Sequence, residues 1–235
     1  MTRTLQPELL DSLPAADPEA IRSRADLRRV NVWMRHRQIL TRALHQTHPT
    51  KPKHVVELGA GDGTLALALA RELSPHWPGA ELTLVDQQHL VTADTLEKFR
   101  NLTWQPRVLQ ADVFAWLAAA TEHANTRRSD IIFANLFLHH FDEARLRRLL
   151  RAAAARCSTF IALEPRRHFT ARLSCELLWL IGCNRVTRHD ARASVRAGFH
   201  GHELSQFWPD PNAWKVREQS AGLFSHLFLA TRTAP

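Results

Sequence analysis

Apolar residues in this chain follow two rhythms. His54-Val55-Val56-Glu57-Leu58, Glu81-Leu82-Thr83-Leu84-Val85-Asp86, Asp130-Ile131-Ile132-Phe133-Ala134-Asn135 and Thr159-Phe160-Ile161-Ala162-Leu163-Glu164 are short, continuous, β-branched-rich runs that read as strands, with another near residues 107–110. Helical spacing lies between them. Thr64 opens a Leu/Ala helix that Ser74-Pro75 and Pro78-Gly79 stop; further helices are expected over residues 89–99 and 113–120, and Asp142 caps an Arg/Leu/Ala helix ending near Arg156. Strands alternating with helices imply an α/β fold, a parallel sheet covered on both faces. Ahead of it, residues 1–20 read as a loose arm or one short helix. Ile21, Leu27, Val30, Trp33, Met34, Ile39, Leu40 and Leu44 then suit one or two amphipathic helices. Beyond the fifth strand, an apolar helix over 169–181 ends at Gly182, and residues 184–203 read as a basic loop with a short helix. Residues 214–219 and 226–231 form two strands whose tight link predicts antiparallel pairing.

Composition narrows the class. With 235 residues, 45% of them hydrophobic and 23% charged, the chain is an ordinary globular protein with ample core. Cys157, Cys175 and Cys183 show no paired spacing, which argues against a disulfide framework or a zinc ribbon. Pro7, Asp11, Pro14, Asp17 and Pro18 interrupt the stretch where a secretory leader needs an apolar core, and no run is long enough for a membrane span. A cytoplasmic protein is expected. The net charge of +8 comes almost wholly from arginine, since Lys51, Lys53, Lys98 and Lys215 are the lysines. Such a surface attracts acidic small molecules; a nucleic-acid groove would need a local cluster or motif besides. The 14 histidines offer no HExxH and no Cys/His ligand spacing, so no metal site is expected.

The densest chemistry follows the first strand, where Gly59, Gly61 and Gly63 alternate with Ala60 and Asp62 before a helix start. A dinucleotide fingerprint would need its third glycine at Thr64, and no Gly-Lys-Ser/Thr follows for a P-loop. Acids at the strand ends add direction. Asp86 is placed to accept hydrogen bonds from a ribose diol, Asp112 from an exocyclic adenine amine, and Glu57 to help hold an ammonium.

Residues 55–64, Val85-Asp86, Gln110-Ala111-Asp112-Val113 and the stretch from Asn135 to Phe141 together resemble the motifs of class I S-adenosylmethionine-dependent methyltransferases. The resemblance covers roughly residues 50–165. It implies a Rossmann-like, doubly wound, seven-stranded, mostly parallel sheet with a C-terminal antiparallel hairpin. It also implies S-adenosyl-L-methionine as cofactor, with Gly59, Ala60 and Gly61 near its methionine part and Glu57 and Asn135 nearby. Asp86 and Gln87 would then lie at the ribose, and Asp112 with Val113 at the adenine. Residues 1–48 would form an N-terminal helical cap, and residues 49–235 the methyltransferase domain, with a substrate-covering insertion near 166–212.

Leu138-His139-His140 is similar to the corresponding stretch of small-molecule methyltransferases acting on quinone precursors and other aromatic metabolites, and residues 189–199 resemble bacterial relatives of aromatic polyketide pathways. His139 is the candidate for orientation or general-base work, with His140 beside it on the substrate side. Glu164, Trp33, His189, Arg192 and Arg196 are the other candidate substrate contacts; Trp33 either joins the core or covers a ligand. Competing chemistries lack residues. Asn135 is followed by Leu136-Phe137-Leu138, without the Pro-Pro-aromatic motif of amino-directed nucleic-acid enzymes; no cysteine follows a proline, and the chain has no tyrosine for short-chain dehydrogenase chemistry. A small aromatic or acidic acceptor is therefore expected. A nucleic-acid substrate and a non-catalytic scaffold are the alternatives.

Overall fold

The computed structural model describes residues 2–122 and 128–233. Helices α1 (Leu9–Ser12), α2 (Pro18–Trp33) and α3 (His36–Thr47) precede β1 (His54–Leu58). Strand and helix then alternate through α4 (Thr64–Leu73), β2 (Glu81–Asp86), α5 (Ala93–Asn101), β3 (Gln105–Gln110), α6 (Val113–Glu122), β4 (Ser129–Asn135), α7 (Glu143–Arg156) and β5 (Cys157–Pro165). Helices α8 (Phe169–Glu176) and α9 (Arg185–Ala197) lead to the closing strands β6 (Trp214–Ala221) and β7 (Ser225–Arg232). The sheet has seven strands in the order β3-β2-β1-β4-β5-β7-β6. Strands β1 to β5 pair in parallel, and β7 runs antiparallel to both β5 and β6.

Continuous apolar runs form these strands because both faces are covered, so every residue needs an apolar neighbour. Val56, Leu58, Ile132, Ala134, Phe160 and Ala162 join one core layer with α6 and α7. Val55, Ile131, Phe133, Ile161 and Leu163 join the other with α3 and α4. Phe160 is fully buried, and truncating such a side chain to alanine costs about 3–5 kcal/mol. After β3 the chain crosses to the other side of β1. That reversal opens a crevice at the carboxyl ends of β1 and β4, the usual place for a ligand in an open α/β sheet.

Three expectations change. The second expected helix begins at Ala93, because Thr92 caps it by accepting from Thr95 N–H. The apolar helix from Phe169 stops at Glu176, and turns carry the chain to Gly182 at φ 75°. The basic segment holds a 13-residue helix, α9, capped by the Asn184 side chain on Thr187 N–H. Val186, Asp190, Ala193 and Ala197 form its buried stripe.

The N-terminal arm is fastened to this helix. Arg3 donates to Ala197 O at 2.8 Å and Phe141 O at 2.8 Å, and Asp190 accepts from the N–H groups of Leu9 and Leu10 at 2.8 and 3.0 Å. Among the described residues no helix is long and apolar enough to cross a membrane.

Candidate functional site

The carboxyl edge of the sheet holds two clusters. In the first, β1 runs into the glycine turn, and the N–H groups of Gly59 and Ala60 donate to Val85 O at 2.9 and 3.2 Å, lashing the turn to β2. Gly59 has φ 69°, and a Cβ there would lie 2.3 Å from the Phe137 ring, so backbone and ring touch as only glycine allows. A Cβ on Gly61 would meet nothing within 4 Å, so its surroundings are open.

Asp86 ends β2 with one oxygen accepting from Gly61 N–H at 2.8 Å and the other from Gln88 N–H at 2.8 Å. Asp112 accepts from Phe114 and Ala115 N–H at 2.8 and 3.0 Å, so it caps α6, and its other oxygen takes the Gln87 amide at 3.0 Å. Slight burial opposes its ionisation, but these bonds outweigh it and hold the carboxyl below its ordinary value. Val113 is buried in the core at the start of α6. Both acids keep unused lone pairs, since an ionised carboxylate accepts about four hydrogen bonds.

Glu57 is buried beneath the turn. Burial first, then the charges of Asp86 and Asp62, push its pKa well above the usual carboxylate value, and its Oε2 has no hydrogen-bond partner among the described residues. A buried acid in that condition stays protonated or pairs with a cation. Asn135, at the end of β4, lies beside His36.

The second cluster sits at β4, β5 and the arm. Leu136 turns the chain at φ 53°, a conformation non-glycine residues rarely hold, and its N–H donates to Leu163 O at 2.9 Å. Glu164 holds the three residues after that turn. One of its oxygens accepts from Phe137 and Leu138 N–H at 3.1 and 2.9 Å, and the other faces His139 Nδ1 at 2.8 Å. His139 Nε2 lies 3.2 Å from Glu8 on the other side.

Burial works against protonating His139, but the hydrogen bonds to Glu164 and then Glu8 outweigh it and raise its pKa to about 9. Burial likewise opposes ionisation of Glu8, and the bonds from His139 and His140 hold that carboxyl far below its usual range. Both ring nitrogens of His139, the residue expected to orient or act as base, thus face carboxylates. Glu164 is fully buried, and its oxygens are engaged by the turn and by His139.

The remaining candidates are scattered. Trp33 is exposed and stacks on Phe224 with centroids 5.2 Å apart. Arg192 forms a two-pronged ion pair with Glu176 at 2.8 and 2.6 Å, locking α9 to α8, and Arg196 donates to Gln6 at 2.9 Å. His189 faces its neighbour Asp190 at 2.9 Å. The polar groups of these last three are spent on α8, α9 and the arm. Glu8 and Arg3 have no local sequence signal, since their partners lie more than a hundred residues away.

Residues 55–158 match a family model described as a methyltransferase domain. The chain has a Rossmann-like methyltransferase fold. Its fold is shared with the plantazolicin methyltransferase BpumL in complex with SAH, at TM-score 0.64 and 14% identity over 93% of this chain and 92% of that one. It is shared with the magnesium protoporphyrin IX methyltransferase ChlM from Synechocystis PCC 6803 with bound SAH, at TM-score 0.55 and 12% identity over 95% and 91%. An O-methyltransferase family protein from Burkholderia thailandensis matches at TM-score 0.59 and 16% identity, with 94% of this chain covering 64% of that one. No curated protein sequence matches the chain. S-adenosylmethionine is the cofactor that the sequence motifs imply for this chain. Its glycine turn fits that group, with open space at Gly61 and an unpartnered Glu57 oxygen beneath.

Proposed function

We propose that this protein methylates a small aromatic or phenolic acceptor, of quinone type or otherwise acidic, at the mouth of the crevice. The observation that carries this reading is a groove of about 720 Å³ lined by Arg22, Ala25, Asp26, Arg28, Arg29, Val32 and Gly182. Arg28 also pairs with Asp62 of the glycine turn at 2.7 Å, so the groove abuts the donor site. Trp33 stands next to Val32 with an exposed face for an aromatic ring.

On this reading Gly59, Ala60 and Gly61 let the methionine part of the donor lie against bare backbone, with Glu57 below its ammonium. Asp86 takes the ribose hydroxyls, with Gln87 alongside; Asp112 and Val113 frame the adenine, and Asn135 lines the crevice. Bound S-adenosylmethionine supplies a methyl group on a sulfonium, and the reaction is an in-line displacement that depends on alignment and exclusion of water. Arg22 offers its guanidinium to an acidic acceptor, beside Arg28 and Arg29, which pair with Asp62 and Asp26. Residues 1–48 act as the cap, and the segment near 166–212 covers the acceptor. Free, buried Cys157, Cys175 and Cys183 support a reducing, cytoplasmic setting.

The test is transfer of labelled methyl from S-adenosylmethionine to a panel of phenols, aromatic acids and quinone-like compounds, with RNA and DNA oligonucleotides alongside. Incorporation into the phenols or acids, with KM raised at least tenfold by the double variant Arg22→Ala with Arg29→Ala, supports the proposal. Incorporation confined to the oligonucleotides, or into none, overturns it.

A further inference from the structure

We propose that Glu8, His139 and His140 form a binding site for a divalent transition-metal cation of the zinc class. One ligand atom from each of the three lies within 4.8 Å of the others. His139 Nε2 is 3.2 Å from one Glu8 oxygen, and His140 Nε2 is 3.4 Å from the other. Tetrahedral zinc with bonds of about 2.0–2.1 Å sets neighbouring ligand atoms about 3.3 Å apart. Charge-assisted hydrogen bonds between nitrogen and carboxylate close to about 2.7–2.9 Å. The contact of His139 Nδ1 with Glu164, at 2.8 Å, is of that second kind. The contacts with Glu8 have the spacing of ligands around an ion.

The far side of each ring points the same way. Metal-binding histidines almost always donate their other ring N–H to a carboxylate or a backbone carbonyl, which fixes the tautomer and aims the free nitrogen at the ion. Here His139 Nδ1 faces the Glu164 carboxylate, and His140 Nδ1 donates to Phe137 O at 3.0 Å. A carbonyl only accepts, so the His140 proton sits on Nδ1 and leaves Nε2 to bind. The rings lie 4.2 Å apart between centroids, tilted by 34°, with both Nε2 atoms toward Glu8. Ser194 Oγ donates to Glu8 and steadies its carboxylate from the α9 side. Asp11, with an oxygen 3.7 Å from His140 Nε2, stands where a fourth ligand or a bridging water would join.

Two imidazoles and a carboxylate select Zn²⁺, Co²⁺ or Ni²⁺ over Mg²⁺ and Ca²⁺, which favour all-oxygen shells. The site also joins residue 8 to residues 139 and 140, so a bound ion staples the N-terminal arm to the edge of the sheet.

Co²⁺ is the probe, titrated into the chelator-treated 235-residue chain at mildly alkaline pH and followed by its visible d–d absorption, with Zn²⁺ displacement read by calorimetry. The expected result is saturable binding of one Co²⁺ per chain with the intense bands of low coordination, displaced by Zn²⁺ and untouched by excess Mg²⁺. His140→Ala and Glu8→Gln should each weaken it at least tenfold. Both residues lie at the edge of the cluster, and circular dichroism with S-adenosylmethionine titration verifies that the variants are folded. Metal-independent tryptic cleavage of the arm, no saturable Co²⁺ spectrum, or binding unchanged in both folded variants would overturn the site and leave the three residues as an ion-paired latch.

Discussion

The two halves of the carboxyl edge are built by opposite means. The glycine turn is assembled from neighbours in sequence and works by leaving things out: no Cβ at Gly59 or Gly61, and no partner for Glu57 Oε2 among the described residues. The His139 half is assembled from residues 8, 139, 140 and 164 and is crowded, with every lone pair of Glu164 engaged. An open half leaves room for a ligand, and a satisfied half fixes the frame against which that ligand is aligned. The same residue type therefore has different work in each. Glu57 waits in its cluster for a cation, whereas Glu164 already has one.

The largest effect should come from the crowded half. Glu164→Ala takes the acceptor from three backbone N–H groups and leaves the buried His139 imidazolium with Glu8 as its one carboxylate partner, and should cost about 3–5 kcal/mol in denaturant unfolding. A loss below about 1 kcal/mol would mean that this frame is not rigid.

His36 comes next, at the seam between the halves. Burial lowers its pKa from 6.5 to about 4, despite the opposing charge of Glu164. The unfolded chain therefore takes up a proton below pH 6.5 that the folded chain refuses, so stability falls as pH drops from 6.5 to 4. The loss should reach roughly 3 kcal/mol in urea titrations across that window, and His36→Gln should remove it.

Glu57→Gln separates stability from binding in the open half. The folded state holds the Glu57 proton above the pH at which the unfolded chain loses it, so this acid weakens the fold at neutral pH. The variant should melt at a higher temperature yet bind S-adenosylmethionine about tenfold more weakly, equivalent to about 1.4 kcal/mol. Smallest of all, Arg192→Ala removes an exposed ion pair with Glu176 and should change stability by about 0.5 kcal/mol or less in the same denaturant titration.

Local order is what made the fold legible. The runs at Val55–Leu58, Ile131–Ala134 and Phe160–Leu163, the cap at Asp142 and the closing hairpin are each written within a few residues, and the glycine turn with Asp86 and Asp112 obeys the same rule. Helix α9 was harder to see because Arg188, His189, Arg192 and Arg196 mask the stripe of Val186, Asp190, Ala193 and Ala197. The second cluster has no such local signature. Glu8 meets His139 across 131 positions, and nothing in a proline-broken arm announces the carboxylate that will close on it. Glu164 was visible as a strand-end acid, but its burial depends on how the turn after β4 folds back over it.

The central claim is that the open half binds the methyl donor, and calorimetric titration of S-adenosylmethionine into the wild-type chain and Asp86→Ala tests it most directly. Saturable binding of one cofactor per chain, weakened at least tenfold in a variant whose circular dichroism is unchanged, is the predicted result. No binding at millimolar cofactor, or equal affinity in the two proteins, would contradict it.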